Sequence, residues 1–212
     1  MVVYLLPGIG CDHRLFDGID LKGSKTVAMD WPSFPEDCTL TSIAQELAAQ
    51  VDRDKPHVLV GVSMGGMVAQ ELAVLTNPVK VVLISSWTGP QEHPPSLKFM
   101  KMLRWWWVVN SFTLWATWPL KRFLGKRDRV ADKLLYDMAV SETAAKIRTG
   151  LGAVMNWKGS PWKGPVARIH GNNDLVIPLR FPVDHVVKGG EHVMVLTRAG
   201  EVSRLLRMVI EA

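Results

Sequence analysis

Hydrophobic positions along the chain fall into two alternating textures. Short, nearly continuous apolar runs at Val2 to Leu6, Val58 to Val60 and Val79 to Ile84 have the length and β-branched content of strands buried on both faces of a parallel sheet. Between them lie segments with helical spacing. Ile43, Leu47 and Val51 recur every four positions with Ala44 and Ala48 beside them, which predicts an amphipathic helix from about Thr39 to Val51, with Thr39 or Thr41 as its N-cap. A second, largely apolar helix starts directly after Ser63 and closes at Asn77-Pro78. Lys25 to Met29 predicts a further strand, and Asp12 to Phe16 a short helix that turns Leu15 and Phe16 inward. Strand and helix thus alternate through Ile84 with short connections, the pattern of parallel strands with helices on both faces. In such a sheet the functional loops gather at the carboxyl ends of the strands.

Trp87 to Lys163 breaks the rhythm. Prolines 90, 94, 95, 119 and 161 punctuate it, and helical spacing recurs at Leu134, Leu135 and Met138, then at Ala144, Ile147, Leu151 and Val154, with Ser141 as the expected N-cap of the latter. Pro165 to Ile169 and Asp184 to Val187 restore the strand pattern, and Val202, Leu205, Leu206 and Val209 mark one buried face of a terminal helix. The expected organisation is one α/β domain of 212 residues. Its core spans 1–86 and 164–212, and a helical insertion, 87–163, lies over the carboxyl edge of a mainly parallel sheet.

Composition narrows the function classes. A chain 48% hydrophobic and 21% charged suits one globular domain with a sizeable core. Cys11 and Cys38 form no disulfide framework, and the opening residues have no basic n-region or cleavage site, so a cytoplasmic location is expected. The net charge of +5 is concentrated between Lys98 and Lys163 and comes with no helix-turn-helix, zinc-finger or RNA-binding signature, so no nucleic-acid partner is expected. No His, Cys, Asp or Glu set has metal-ligand spacing, and no cofactor is expected.

The candidate chemistry sits in the strand, turn and helix around Gly61-Val62-Ser63-Met64-Gly65. A serine forced into a tight strand-to-helix turn needs neighbours without a Cβ, and glycines two residues away on each side supply that. Its hydroxyl would project above the sheet, with the Met64 N–H and the positive end of the helix dipole beside it. The same Gly/Ser turn can also serve only to join a buried strand to a buried helix. Two further residues weigh against that reading: Asp174 follows a later strand, and His192 follows Gly189-Gly190 after the last one. Serine needs a base within hydrogen-bond reach, and the base needs a partner that fixes its tautomer. Asp174 alone could be a turn residue after Asn172-Asn173, and His192 alone an ordinary loop histidine. His13, His57, His93, His170 and His185 lack a comparable context.

With these residues in view the sequence resembles the α/β-hydrolases. GVSMGG at Gly61 to Gly66 is similar to the family's nucleophile elbow, IHGNNDLVIP at Ile169 to Pro178 to its strand-then-acid motif, and GGEH at Gly189 to His192 to its histidine loop. Pro7-Gly8-Ile9-Gly10 resembles the oxyanion loop, with proline where many members have histidine. The resemblance implies Ser63 as nucleophile, His192 as base, Asp174 as its partner, and the backbone N–H groups of Ile9 and Met64 as oxyanion donors. It begins at the family's third strand, with no counterpart of the first hairpin, and covers the chain outside 87–163, where family members carry a variable lid. Serine at position 63 excludes the carboxylate nucleophile of family dehalogenases and epoxide hydrolases.

The expected function is hydrolysis of a carboxylic ester, thioester or amide of a small or medium acyl substrate. A family lyase using the same three residues, or a non-catalytic binding protein, stays open at this point. Trp105, Trp106 and Trp107, set among Lys98, Lys101, Arg104 and Lys121, are expected either to pack the insertion onto the core or to wall an acyl pocket beside Ser63. In the second case the basic rim would attract an anionic substrate or make weak contact with an anionic lipid surface.

Overall fold

A computed structural model describes residues 1–113, 115–116 and 129–211. Six strands form one sheet: β1 Val2–Leu6, β2 Lys25–Ala28, β3 His57–Val62, β4 Lys80–Ile84, β5 Val166–Gly171 and β6 His185–Val187. Their order is β2-β1-β3-β4-β5-β6 and every pairing is parallel. The continuous apolar runs have a direct cause: alternate residues feed opposite cores. Val2, Tyr4 and Leu6 of β1, Leu59 of β3, and Val81 and Leu83 of β4 join one buried cluster. Val3 and Leu5, Val58, Val60 and Val62, and Val82 and Ile84 join the other.

Helices α1 Leu40–Leu47 and α2 Met64–Thr76 cover the first face, and the terminal helix α7 Ala199–Glu211 covers the second. Thr39 caps α1 through a reciprocal bond pair with Ser42, and the helix tightens into a 3-10 turn, Ala48–Gln50, short of the expected Val51. Between β4 and β5 the described residues are mostly helical: α3 Pro95–Met102, a 3-10 turn at Trp105–Val108, α4 Arg129–Ser141 and α5 Ala144–Asn156. Ser141 ends α4, donating its hydroxyl to Met138 O, and Thr143 rather than Ser141 caps α5 by accepting the Lys146 N–H. A four-residue helix unforeseen in the sequence, α6 Met194–Thr197, follows His192 and buries Met194 and Val195. Among the described residues no helix is long and apolar enough to cross a membrane. Pro119 and Lys121 of the expected insertion lie outside the described residues.

Candidate active site

Ser63 sits between β3 and α2 with φ 54° and ψ −121°, a backbone conformation that L-residues rarely adopt. The surroundings hold it there. Ser63 N–H donates to Ile84 O of β4 (3.0 Å), and its carbonyl accepts from Gly66 N–H (3.0 Å) and the Ser86 hydroxyl (2.7 Å). A Cβ on Gly61 would fall on the Gly65 carbonyl, and one on Gly65 on the carbonyls of Leu6 and Pro7. The two glycines therefore let β3, α2 and the loop after β1 meet closely enough to force the serine outward.

Three side chains from the carboxyl ends of different strands then form one line. Ser63 donates its hydroxyl proton to His192 Nε2 at 3.0 Å. His192 Nδ1–H donates to Asp174, 2.9 Å from Oδ2 and 3.1 Å from Oδ1. The Asp174 side chain is fully buried, while His192 keeps 18% of its side chain exposed, enough for a substrate to reach it. Asp174 Oδ1 also accepts the N–H groups of Val176 (2.9 Å) and Ile177 (2.8 Å), so the loop after β5 clamps its rotamer.

Burial pushes the Asp174 carboxyl up, but hydrogen bonds from His170 and His192, the His192 charge and the Ile177 N–H outweigh it and hold the group well below the ordinary carboxylate range. His170, without a role in the sequence reading, is thus part of the arrangement. Its ring is buried, Nε2–H donates to Ile177 O at 2.8 Å, and the same nitrogen lies 3.4 Å from Asp174 Oδ2. Phe181 packs edge-on against it. An i, i+4 separation across a strand end was the only available signal. Ser86 was also missed, because its role depends on β4 lying beside β3.

The Pro7-to-Gly10 loop packs onto Ser63: a Cβ on Gly8 would stand 3.6 Å from the serine Cβ. Trp31 anchors this loop by donating Nε1–H to Gly8 O (3.0 Å). Ile9 lies within the loop and Met64 is the first residue of α2, and neither N–H is bonded to an acceptor among the described residues. Helix α5 covers the loop from outside. Ile147 comes within 3.6 Å of a Cβ built on Gly10, and Ile9 within 2.9 Å of one built on Gly150.

The tryptophan triplet departs from its expected shared inner face. On a 3-10 turn successive side chains point about 120° apart, so Trp106 is buried against Gly152 of α5, Trp105 is half-buried and Trp107 is 60% exposed. Trp106 and Trp107 line a cavity of about 530 Å³ together with Asp37, Glu71, Arg104 and Arg148, and Ser63, Asp174 and His192 are not among its lining residues.

The other reactive side chains are accounted for differently. Burial pushes the Cys11 thiol up to about 12 and the Cys38 thiol to about 11, with Asp12 and Asp37 adding to the effect, so both stay protonated. Asp12, His13 and Asp30 bring ligand atoms within 4.8 Å of one another, a cluster invisible to sequence spacing because Asp30 arrives from the end of β2. Asp12 is engaged by Arg14 and Asp30 by His13.

The profile of the Alpha/beta hydrolase family matches residues 3–205, and the chain belongs to that family. Among solved structures it is similar to a thermophilic esterase from Thermogutta terrifontis, with TM-score 0.77 and 16% identity over 100% of this chain and 89% of that one. It is equally similar to an esterase from Exiguobacterium antarcticum, with TM-score 0.77 and 15% identity over 100% and 92% of the two chains. A third likeness, to an N-acyl homoserine lactone degrading enzyme, has TM-score 0.71 and 18% identity over 98% and 92%. At such identities the likeness is one of fold. No curated protein sequence matches the chain significantly.

Proposed function

We propose that the protein is a serine hydrolase that cleaves a carboxylic ester of a small or medium acyl substrate through an acyl-enzyme on Ser63. The observation that carries this reading is the line from Ser63 Oγ through His192 to Asp174, with hydrogen-bond distances of 3.0 and 2.9 Å. His192 Nδ1–H is committed to a carboxylate, which leaves the Nε2 lone pair facing the serine hydroxyl.

As Oγ attacks the substrate carbonyl, the proton moves to His192 Nε2 and the imidazolium is stabilised by Asp174. The Ile9 and Met64 N–H groups receive the oxyanion, Met64 with the N-terminal dipole of α2 behind it. His192 then returns the proton to the departing alkoxide. Water repeats the sequence, freeing the acid and Ser63. Asp174, held ionised, keeps the imidazole in the tautomer that can accept. The helical segment between β4 and β5 acts as the lid, and Ile9 and Ile147, which stand by the oxyanion loop, supply apolar wall for the acyl chain.

Intact-mass spectrometry after mixing with a panel of activated acyl esters tests the reading. An added mass equal to the acyl group on the wild type, absent from Ser63→Ala, is expected. Turnover with no acyl adduct under single-turnover quench would point instead to lyase-type use of the same residues, and neither turnover nor adduct to a binding protein.

A further inference from the structure

Residues 102–115 carry apolar side chains that packing onto the core does not use. Met102, Leu103, Trp107, Val108, Phe112 and Trp115 are each 60% to 70% exposed. A single exposed leucine is ordinary, but six large apolar side chains on one short surface segment mark an interaction face. Trp106 takes the inward position on the 3-10 turn, and its neighbour Trp107 is turned out by the turn's own geometry. Phe112 and Trp115 lie with ring centroids 6.1 Å apart, a paired aromatic surface facing water.

Along the chain this stretch carries charge of one sign, whereas in space the exposed Glu36 and Asp37 line the cavity that Arg104, Trp107 and Arg148 share. From His93 to Arg127 the sequence holds seven Lys or Arg and no Asp or Glu. Lys101 and Arg104 are exposed beside the apolar residues, and the guanidinium groups of Arg104 and of Arg148 on α5 approach the Trp107 ring at 4.9 and 6.0 Å. Lys101, Arg104 and Arg148 make no ion pair among the described residues. Aromatic and aliphatic side chains interleaved with unpaired cations match the layering of an anionic bilayer, apolar within and phosphate at the rim. A second copy of this chain fits less well, because the exposed apolar residues lie with Lys101 and Arg104 on one stretch that holds no acid, so a two-fold dimer centred there would set cation against cation.

We propose that the 102–115 surface docks the protein onto an anionic phospholipid bilayer. Leu103, Val108, Phe112 and Trp115 enter the boundary between headgroups and acyl chains, and Lys101, Arg104 and Arg148 meet lipid phosphates. This inference does not rest on the hydrolase reading. It does have a route to the site: α5 holds Trp106 at Gly152 on one side and meets the oxyanion loop through Ile147 and Gly150 on the other.

Co-sedimentation of the full chain with phosphatidylcholine vesicles, with and without phosphatidylglycerol, tests the proposal. Ser63→Ala is the background, so that no turnover alters the lipid. Binding is expected only with phosphatidylglycerol and should fall as salt rises. The pair Lys101→Ala and Arg104→Ala should weaken it by about thirtyfold, from two cations near the surface. The pair Phe112→Ser and Trp115→Ser should weaken it by on the order of tenfold or more, with thermal melting unchanged in both. Equal binding to both vesicle types, full binding by both variant pairs, or a lipid-independent dimer that the Phe112/Trp115 pair dissolves would each overturn it.

Discussion

At Gly65 one added methyl group would fall on two backbone carbonyls, whereas at Trp107 an entire indole stands 60% in solvent with two guanidinium groups beside it. The region around Ser63 is over-determined: β1, β3, β4 and α2 all meet there, and the Ser63 backbone is held by Ile84, Gly66 and Ser86. The 102–115 region is under-determined, with its turn geometry set locally and many of its side chains turned away from the core. Function draws on both conditions. Chemistry needs atoms fixed to fractions of an ångström, and a docking face needs surface that the fold leaves unused.

The sharpest break between the regions is Ser63→Ala. It should cost on the order of a million-fold in kcat with the melting temperature unchanged, while Trp115→Ser leaves turnover of a water-soluble ester as it was. Steady-state kinetics on one activated ester reads both. Next is Asp174→Asn, for which a loss of roughly ten-thousand-fold is expected, the size seen in the analogous serine-protease substitution. The same variant carries a pH signature. Because the folded-state carboxyl is held below its ordinary value, its contribution to stability is fully present above the ordinary carboxylate range and is lost as pH falls through and below it. Melting curves from about pH 6 down to about pH 3 should therefore fall more steeply for the wild type than for Asp174→Asn.

Gly65→Ala should destabilise by about 3 kcal/mol or more, since backbone cannot move aside. Gly152→Ala in α5 should cost less than about 1 kcal/mol, because its methyl would meet the Trp106 side chain at 3.1 Å, and a side chain can shift. Urea unfolding of the two variants compares the regions directly. Replacing His170 with Leu removes one donor facing Asp174, and about tenfold in kcat/KM is expected. It should also make the acid loss of stability smaller and complete it at a higher pH than in the wild type, because the folded-state carboxyl loses one of the bonds that hold it down. The smallest effect is expected at Gly200, near the start of α7, where a Cβ meets nothing within 4 Å. Gly200→Ala should stabilise by roughly 0.5–1 kcal/mol through helix propensity, measured in the same urea titration.

This contrast also decides what could be read from the sequence. β1, β3 and β4 are legible because burial on both faces leaves an unbroken apolar run, and Ser63, Asp174 and His192 are legible because each follows a strand with a distinctive turn. β6 is legible at Asp184 to Val187 and forms over His185–Val187, whereas α6, at four residues, is too short to show a period. Ser141 and Thr143 are equally good caps by chemistry, and only the chain's path to Lys146 chooses between them. Ser86 and His170 act on groups that adjacent strands bring to them, and no local pattern announces that. The tryptophan triplet misleads for a related reason: composition reports three indoles, but the turn that carries them sends each a different way.

β4 and β5 lie side by side, with Val81 N–H donating to Pro165 O and Ser85 N–H to Ile169 O, although about eighty residues separate them in sequence. The entropy lost in joining the ends of a connection grows only with the logarithm of its length, so an excursion of about eighty residues costs only about 2 kcal/mol more to close than one of about ten. Natural selection could therefore have lengthened, shortened or replaced this excursion while leaving the strand register, and with it the spacing of Ser63 from Asp174 and His192, untouched. The length and content of the β4–β5 connection are thus set apart, by the geometry of two neighbouring strands, from the placement of Ser63, Asp174 and His192.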